Sequence, residues 1–376
     1  MRLLFAIKGL VIAGGGAERV FVDVVNALAA RGHEVHVATF DHPDQPLFYA
    51  LDPDIPVHLL GAGEPGVPTP RSNLPRIMLG IRKLAQEIRP NAAIAFMHST
   101  YVPAAFGLLG TGIPMILSEH TASAHFADRP IERGLTRLIQ RLSYAKTVVS
   151  PVIRDEHPPA YRKNLIVLPN PVAIKDFASA RATRPGKLIL CVGGLRAEKG
   201  QEVLVEAFGR IAADFPEWRL RFVGDGVTRP QIEALIAASP VAARIELPGV
   251  LRDVPSEYAK AAFVVVPSRY ESLSMVAIEA MASSRAVIGF ADCAGPSALI
   301  IDRENGLLVD PGTDRAGALA KALGQLIADK DLREQLGANA PSLIADYSSE
   351  HVVSKWEALL TAAATHAPLP ADTTRA

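Results

Sequence analysis

The chain has 376 residues, 39 Lys and Arg against 39 Asp and Glu, and 49% apolar residues. That is enough for two ordinary domains with separate cores, and the zero formal charge leaves no footprint for nucleic acid as a main partner. Cys191 in an apolar run and Cys293 in a loop give neither metal-ligand spacing nor a disulfide framework, which fits a reducing, cytoplasmic setting.

Residues 2–8 read as a first strand and not as a signal peptide, because Lys8 interrupts the apolar run and no cleavage-type ending follows. Gly14-Gly15-Gly16 comes next, then a helix with Val20, Val24, Ala27 and Leu28 as apolar positions, then a strand at Glu34 to Phe40. Strand, loop, helix and strand open a doubly wound parallel sheet. The glycines lack the spacing and the acidic residue of a dinucleotide fingerprint, so a dehydrogenase reading is weak. Alone, such a run is more often a flexible turn. Asp52-Pro53-Asp54 invites a divalent-ion reading, but Pro53 and Pro56 make it a surface loop before a strand at Val57 to Leu60. Residues 61–75 read as an irregular excursion. No formal charge occurs between Pro90 and Ser118. A membrane span needs about 20 apolar residues in a row, and the prolines and glycines here fit strand, buried helix and strand better.

A strand at Ile113 to Leu117 delivers Ser118-Glu119-His120-Thr121 at its carboxyl end, where open α/β sheets place ligands. His120 there can donate to a hydroxyl or phosphate near neutral pH, or be satisfied by a backbone carbonyl. Pro130 to Lys146 reads as a helix, and Arg129, Arg133, Arg137 and Arg141 recur every fourth residue. A solvated face is the commoner explanation of such a stripe. Contact with an anionic membrane surface, at about 1 kcal/mol per basic residue, is the other. Short strands follow at Thr147 to Ser150 and Leu165 to Leu168. Pro169 to Val172 then reads as a linker, because both prolines restrict the chain, and 173–186 is mixed and polar.

The second half opens with a strand at Lys187 to Val192 and the loop Gly193-Gly194-Leu195-Arg196-Ala197-Glu198-Lys199-Gly200. A helix over 201–213 comes after it. Lys199, beside glycines and near a helix start, suits a phosphate clamp. A strand at Arg219 to Val223 runs into Gly224-Asp225-Gly226, and Ile245 to Gly249 precedes Tyr258. Helices are expected at 314–328 and 331–345. A last one, capped by Ser348 or Ser349, should reach about 364, ahead of a disordered tail at 367–376.

The densest stretch is Pro267 to Ala282, PSRYESLSMVAIEAMA, directly after the apolar run Ala262 to Val266. A buried strand feeding a helix capped by Ser272 or Ser274 puts unpaired N–H groups and the positive dipole end at the sheet's carboxyl edge. That is a place for a phosphate. Glu271 in the turn and Glu279 in the helix are ill suited to gripping it, but suit pairs of sugar hydroxyls. The bland reading is an exposed loop Glu and a surface helix Glu.

Glu271-x7-Glu279 after a Pro-Ser turn, followed by Glu-Ala-Met-Ala, resembles the signature of retaining GT-B glycosyltransferases of family 4. The likeness continues through Ala286 to Gly289, Cys293-Ala294-Gly295-Pro296 and Asn305 to Val309, and back through Gly15-Gly16-Ala17-Glu18-Arg19, Ser118-Glu119-His120 and Lys199-Gly200. It implies an α/β GT-B fold, two doubly wound Rossmann-like domains facing a central cleft. The expected divisions are an acceptor-side domain at 1–168, a linker at 169–186, a nucleotide-sugar-binding domain at 187–347 and a helix at 348–366 crossing back.

The resemblance implies a nucleoside-diphosphate sugar as donor, UDP by family likeness, and a cell-surface glycan or lipid-linked saccharide as acceptor. Transfer would be retaining, with no cofactor or metal. Lipopolysaccharide or other polysaccharide assembly at the inner face of a membrane is the implied setting. Glu271, Lys199 and His120 would be catalytic. Glu279 would hold the ribose, with Arg196, Gly15, Gly16, Ser272, Leu273 and Ser274 completing the donor site. The chain departs from the family pattern at Gly194, where an Arg that binds diphosphate usually stands; Arg196 is its nearest replacement. A nucleotide-sugar epimerase of similar architecture and a non-catalytic nucleotide-sugar-binding module are the competing readings.

Overall fold

The computed structural model describes residues 1–11, 16–64, 67–121, 130–182 and 185–370. Gly14, Gly15, Arg129 and the tail beyond 370 lie outside the described residues. The chain divides into two compact units, Met1–Pro171 with Glu350–Ala376, and Val172–Ser349. Residues 172–186, read from sequence as linker, thus belong to the second unit.

The first unit alternates strands and helices: β1 (Arg2–Ile7), α1 (Gly16–Ala30), β2 (Glu34–Thr39), β3 (Val57–Leu59), α2 (Leu74–Ile88), β4 (Ala92–Phe96), α3 (His98–Leu108), β5 (Met115–Ser118), α4 (Pro130–Leu142), β6 (Ala145–Val148), α5 (Pro151–Asp155) and β7 (Leu165–Val167). Its seven strands are all parallel, in the order β3-β2-β1-β4-β5-β6-β7. Helices cover both faces of such a sheet, so β4 and β5 are buried at every position. The uncharged 90–118 stretch is indeed strand, helix and strand, and no described helix is long and apolar enough to cross a membrane.

The second unit contains α6 (Ile174–Ala178), β8 (Leu188–Val192), α7 (Gln201–Ile211), β9 (Arg219–Val223), α8 (Arg229–Ala238), β10 (Ile245–Gly249), α9 (Val254–Lys260), β11 (Phe263–Val266), α10 (Met275–Ala282), β12 (Ala286–Phe290), α11 (Ala294–Ser297), β13 (Gly306–Val309), α12 (Arg315–Ala328) and α13 (Lys330–Asn339). Its six parallel strands run β10-β9-β8-β11-β12-β13. From Glu350 onward α14 (Ser349–Ala364) belongs to the first unit. There Trp356 stacks on Phe96 at 5.9 Å, and Phe21 meets Phe96 edge-on at 5.0 Å. Such aromatic pairs favour one geometry beyond the area they bury.

Several boundaries differ from the sequence expectation. The helix expected over Pro130 to Lys146 stops at Leu142, and the next strand begins at Ala145 instead of Thr147. Lys146 is a buried strand residue, not a helix terminus. The helix expected over 331–345 ends at Asn339 and gives way to two short 3-10 turns, because Pro341 cannot continue the helical hydrogen bonding. The polar stretch after Val172 holds α6, whose Phe177 packs edge-on against Tyr258.

Candidate active site

Strand order reverses in the second unit between β8 and β11, since β9 lies to one side of β8 and β12 beyond β11. Open α/β sheets bind ligands outside the strand ends at such a switch point. The two loops that leave it are Gly193–Gly200 after β8 and Pro267–Ser274 after β11. They bring the two sequence-predicted groups together: the Lys199 ammonium donates to Glu271 Oε1 at 2.6 Å.

Backbone contacts fix these loops. Gly200 has φ +65°, and a Cβ there would sit 2.4 Å from the Pro267 carbonyl oxygen. Gly224 has φ +141°, with its Cβ position 2.1 Å from the carbonyl oxygen of Gly193. Only glycine takes such conformations freely at such contact. The Arg269 amide donates to the Glu198 carbonyl at 2.8 Å, and the Arg269 guanidinium pairs with Glu202. On the far side the Gly295 amide donates to the Glu271 carbonyl at 2.7 Å, so the Cys293-Ala294-Gly295-Pro296 motif is a buttress for the Glu271 turn. Cys293 itself is buried, which pushes its thiol up to about 12 and leaves it an inert packing group.

Burial lowers the Lys199 pKa, but the Glu271 carboxylate beside it more than compensates and leaves the ammonium above its ordinary range. Glu271 Oε2 is also buried and accepts no hydrogen bond. A carboxylate oxygen in that state costs free energy unless a ligand hydroxyl or cation meets it.

In helix α10 Ala277 through Ala282 are all buried, Glu279 among them at 7% exposed. The surface-Glu reading therefore fails, because a buried carboxylate needs a donor. Tyr258, 0% exposed, supplies one: its hydroxyl donates to Glu279 Oε2 at 2.7 Å. No spacing rule in the sequence couples Tyr258 to Glu279. Ser274, and not Ser272, caps α10, its hydroxyl accepting from the Ala277 amide at 3.2 Å. The amides of Met275 and Val276 in that first turn have no partner within the helix. Leu273 is buried beneath the turn. Arg196 is exposed, and its Nε lies 3.6 Å from where a Cβ on Gly194 would be.

In the first unit Gly16 is the exposed first residue of α1. His120 follows β5 at the carboxyl edge, its ring stacked on Phe96 at 5.0 Å. Its Nδ1–H donates to Asn170 Oδ1 at 3.0 Å. Its Nε2 accepts from the Ser118 hydroxyl at 2.9 Å, and that hydroxyl accepts from Thr147 at 3.2 Å. Burial, only partly offset by Glu119, lowers the His120 pKa to about 4. The expected near-neutral proton donor is thus a neutral imidazole with both nitrogens engaged by side chains. Beside it the sequence concealed a buried ion pair, Lys146 Nζ to Glu119 Oε2 at 3.9 Å. A lone Lys in an apolar strand gives no periodic signal.

Asp52 accepts from the Asp54 amide at 3.0 Å, an ordinary local turn on the surface. Among the described residues no group of three or more His, Cys, Asp or Glu is placed to hold a metal.

Two family models match nearly the whole chain side by side: Glycosyltransferase Family 4 over residues 14–176 and Glycosyl transferases group 1 over 174–343. The chain is 26% identical over 366 residues to GalNAc-alpha-(1->4)-GalNAc-alpha-(1->3)-diNAcBac-PP-undecaprenol alpha-1,4-N-acetyl-D-galactosaminyltransferase of Campylobacter jejuni, covering 96% of this chain and 98% of that protein. Among solved structures, sucrose-phosphate synthase from Thermosynechococcus elongatus superposes with a TM-score of 0.79 at 24% identity, over 95% of this chain and 97% of that one. Anabaena Alr3699/HepE in complex with UDP superposes with a TM-score of 0.76 at 17% identity, over 96% and 100%. The doubly wound pair of parallel sheets expected from sequence is the GT-B architecture these structures share.

Proposed function

Since the chain is a glycosyltransferase with the GT-B fold, we propose that it transfers a sugar from a UDP-sugar, with retention and without a metal ion, to a hydroxyl of a lipid-linked or cell-surface saccharide. The supporting observation is the Lys199–Glu271 pair at the switch point, with one Glu271 oxygen buried and unpartnered. Glu271 would take a hydroxyl of the transferred sugar on Oε2. Lys199, already protonated beside it, would meet the negative charge that develops on the departing diphosphate. The first-turn amides of α10 and the Arg196 guanidinium would share that charge, Arg196 standing in for the side chain that Gly194 lacks. Glu279 would accept from the ribose hydroxyls, and Ser272 and Ser274 would line the diphosphate, with Leu273 as their apolar floor. His120 would act as a neutral hydrogen-bonding group for a substrate hydroxyl.

The undecaprenol-linked substrate in the name of the Campylobacter protein supports a lipid-linked acceptor, and with it the reading of a reaction at the cytoplasmic face of a membrane. UDP in the Anabaena complex supports the nucleotide. The test is a thermal-shift panel of nucleotide sugars, followed by transfer to lipid-linked acceptors in chelator. Stabilisation by one UDP-sugar and chelator-resistant product with the donor's anomeric configuration are expected. Binding with no turnover across many acceptors would return the protein to a binding module.

A further inference from the structure

One strand grips the 118–121 turn, which carries His120, from two sides. Lys146 and Thr147 are successive residues of β6, so their side chains leave opposite faces of the sheet. On one face the Thr147 hydroxyl donates to the Ser118 hydroxyl, which donates in turn to His120. On the other face Lys146 meets Glu119, a contact that no step of sugar transfer uses.

That pair is an unusual thing to bury. Lys146 is 3% exposed and Glu119 2%, on the face whose core includes Leu117 and Tyr101. The Lys146 ammonium also lies 3.4 Å from His157 Nε2. Since His157 Nδ1–H donates to the Ile153 carbonyl at 2.9 Å, a lone pair on Nε2 faces the ammonium. Burial and the Glu119 charge push the Tyr101 hydroxyl well above its ordinary value, so it stays protonated beside the carboxylate. A buried ion pair stabilises a fold poorly, because apolar side chains of the same size often do as well or better. What this one supplies is direction. Glu119 Oε1 accepts from the Thr121 amide at 3.1 Å, spanning His120, while the Glu119 amide donates to the Thr147 carbonyl at 3.0 Å. At 3.9 Å the contact between Lys146 Nζ and Glu119 Oε2 is held by charge and not by a hydrogen bond. The charge on Lys146 therefore decides where the carboxylate sits.

We propose that Lys146 is a positioning residue for acceptor binding: its buried ammonium orients Glu119, whose Oε1 fixes the Thr121 amide and so sets the turn that presents His120. The hydroxyl relay from Thr147 orients the imidazole ring, and the ion pair on the opposite face orients the backbone beneath it. Together they hold a neutral ring at the sheet edge with little freedom to drift.

The test reads the Thr121 amide by hydrogen exchange in the full chain, beside the amides of β5 and β6, and then reads acceptor KM by transfer kinetics. Lys146→Met, similar in size and uncharged, should speed Thr121 exchange about tenfold and leave the strand amides unchanged. It should raise acceptor KM about fivefold with donor KM unchanged. Adding Glu119→Gln, whose amide oxygen can accept the same bond with no charge left buried, should bring both values to within about twofold of wild type. If Lys146→Met alone does not fold, Lys146→Met with Glu119→Leu removes the buried charge and the accepting oxygen together, and should show both losses. Strand amides that speed up with Thr121, unchanged Thr121 exchange, or a failed rescue would each overturn the proposal and make the pair a stabiliser only. The inference rests on His120 meeting a substrate hydroxyl, as proposed above, and His120→Gln separates the two. If it raises acceptor KM and Lys146→Met does not, the positioning role is overturned while that reading stands. If neither raises it, both are overturned.

Discussion

The two units place their candidate site groups at the same kind of sheet edge, but hold them by opposite means. In the second unit the groups are charged and the loops are fixed by backbone: Lys199 and Glu271 meet at 2.6 Å between loops that glycines bring to within contact. In the first unit His120 is neutral, fixed by hydroxyls and an amide, while the charged pair beside it, Glu119 and Lys146, is buried. A preorganised charge is what stabilises a departing diphosphate. A neutral polar edge suits a group that must accept varied hydroxyls without altering their ionisation. If, as proposed, the donor chemistry is built into the second unit, exchanging charges there should matter far more than exchanging polar groups in the first.

The largest effect should come from Lys199. Replacing it by Ala removes the cation proposed to face the departing diphosphate and leaves the Glu271 carboxylate buried without its partner. A drop in kcat of about 10² to 10³ is expected, the scale for losing one preorganised electrostatic contact. Steady-state transfer kinetics check it, and a kcat within threefold of wild type would mean that Lys199 serves only to hold Glu271. The same measurement on His120→Gln should show a change of less than about tenfold.

Next is the backbone. A methyl group at Gly224 would lie 2.1 Å from the Gly193 carbonyl, at a φ of +141° that other residues avoid. Gly224→Ala should cost about 3 kcal/mol, lowering the unfolding midpoint by roughly 6–12 °C for a unit of this size. Gly312 also has positive φ, but its Cβ position is open, so Gly312→Ala should cost about 1 kcal/mol or less. Equal losses at both positions, measured by calorimetry, would show that conformation alone matters and not the loop contact.

These residues also show what could be read in the chain. Parallel β strands and the helices between them were legible because β4, β5 and β11 are short apolar runs separated by glycine and proline punctuation. Glu271 and Lys199 could be placed in loops beyond strand ends, and Glu279 on the helix that follows, because these follow from the local order of the chain. Three features were not. The Tyr258–Glu279 bond joins residues 21 apart across a helix and a strand. The engagement of His120 depends on Asn170, 50 residues on, in a stretch that reads only as linker. The burial of α10 from Ala277 to Ala282 comes from α6 and the sheet packing against it, whereas periodicity reports one face at a time.

Tyr258 gives a finer probe of the second unit. Tyr258→Phe keeps the ring against Phe177 and removes only the hydroxyl that holds Glu279 Oε2. Losing one hydrogen bond to a charged group costs about 1.5 to 3 kcal/mol, some of it recovered as Glu279 relaxes. If Glu279 binds the nucleotide portion as proposed, away from the breaking bond, donor KM should rise about fivefold to tenfold with kcat unchanged. An equal fall in kcat would place Glu279 in the transition state instead.

The smallest effect probes the first unit by pH. The native His120 pKa is about 4, against 6.5 as the ordinary value. Between those values the unfolded chain binds the proton and the native chain does not, so stability falls as pH drops from 6.5 towards 4 and is complete above 6.5. His120→Gln, which can still bond Ser118 and Asn170, removes that proton uptake. Its unfolding free energy should therefore fall less between pH 7 and pH 5 than that of wild type, with His157, also lowered chiefly by burial, keeping part of the slope in both. Denaturant unfolding at the two pH values measures the difference. Identical slopes would mean that the imidazole takes up its proton in the folded protein, and the neutral edge that distinguishes the first unit from the second would then be charged at mildly acid pH.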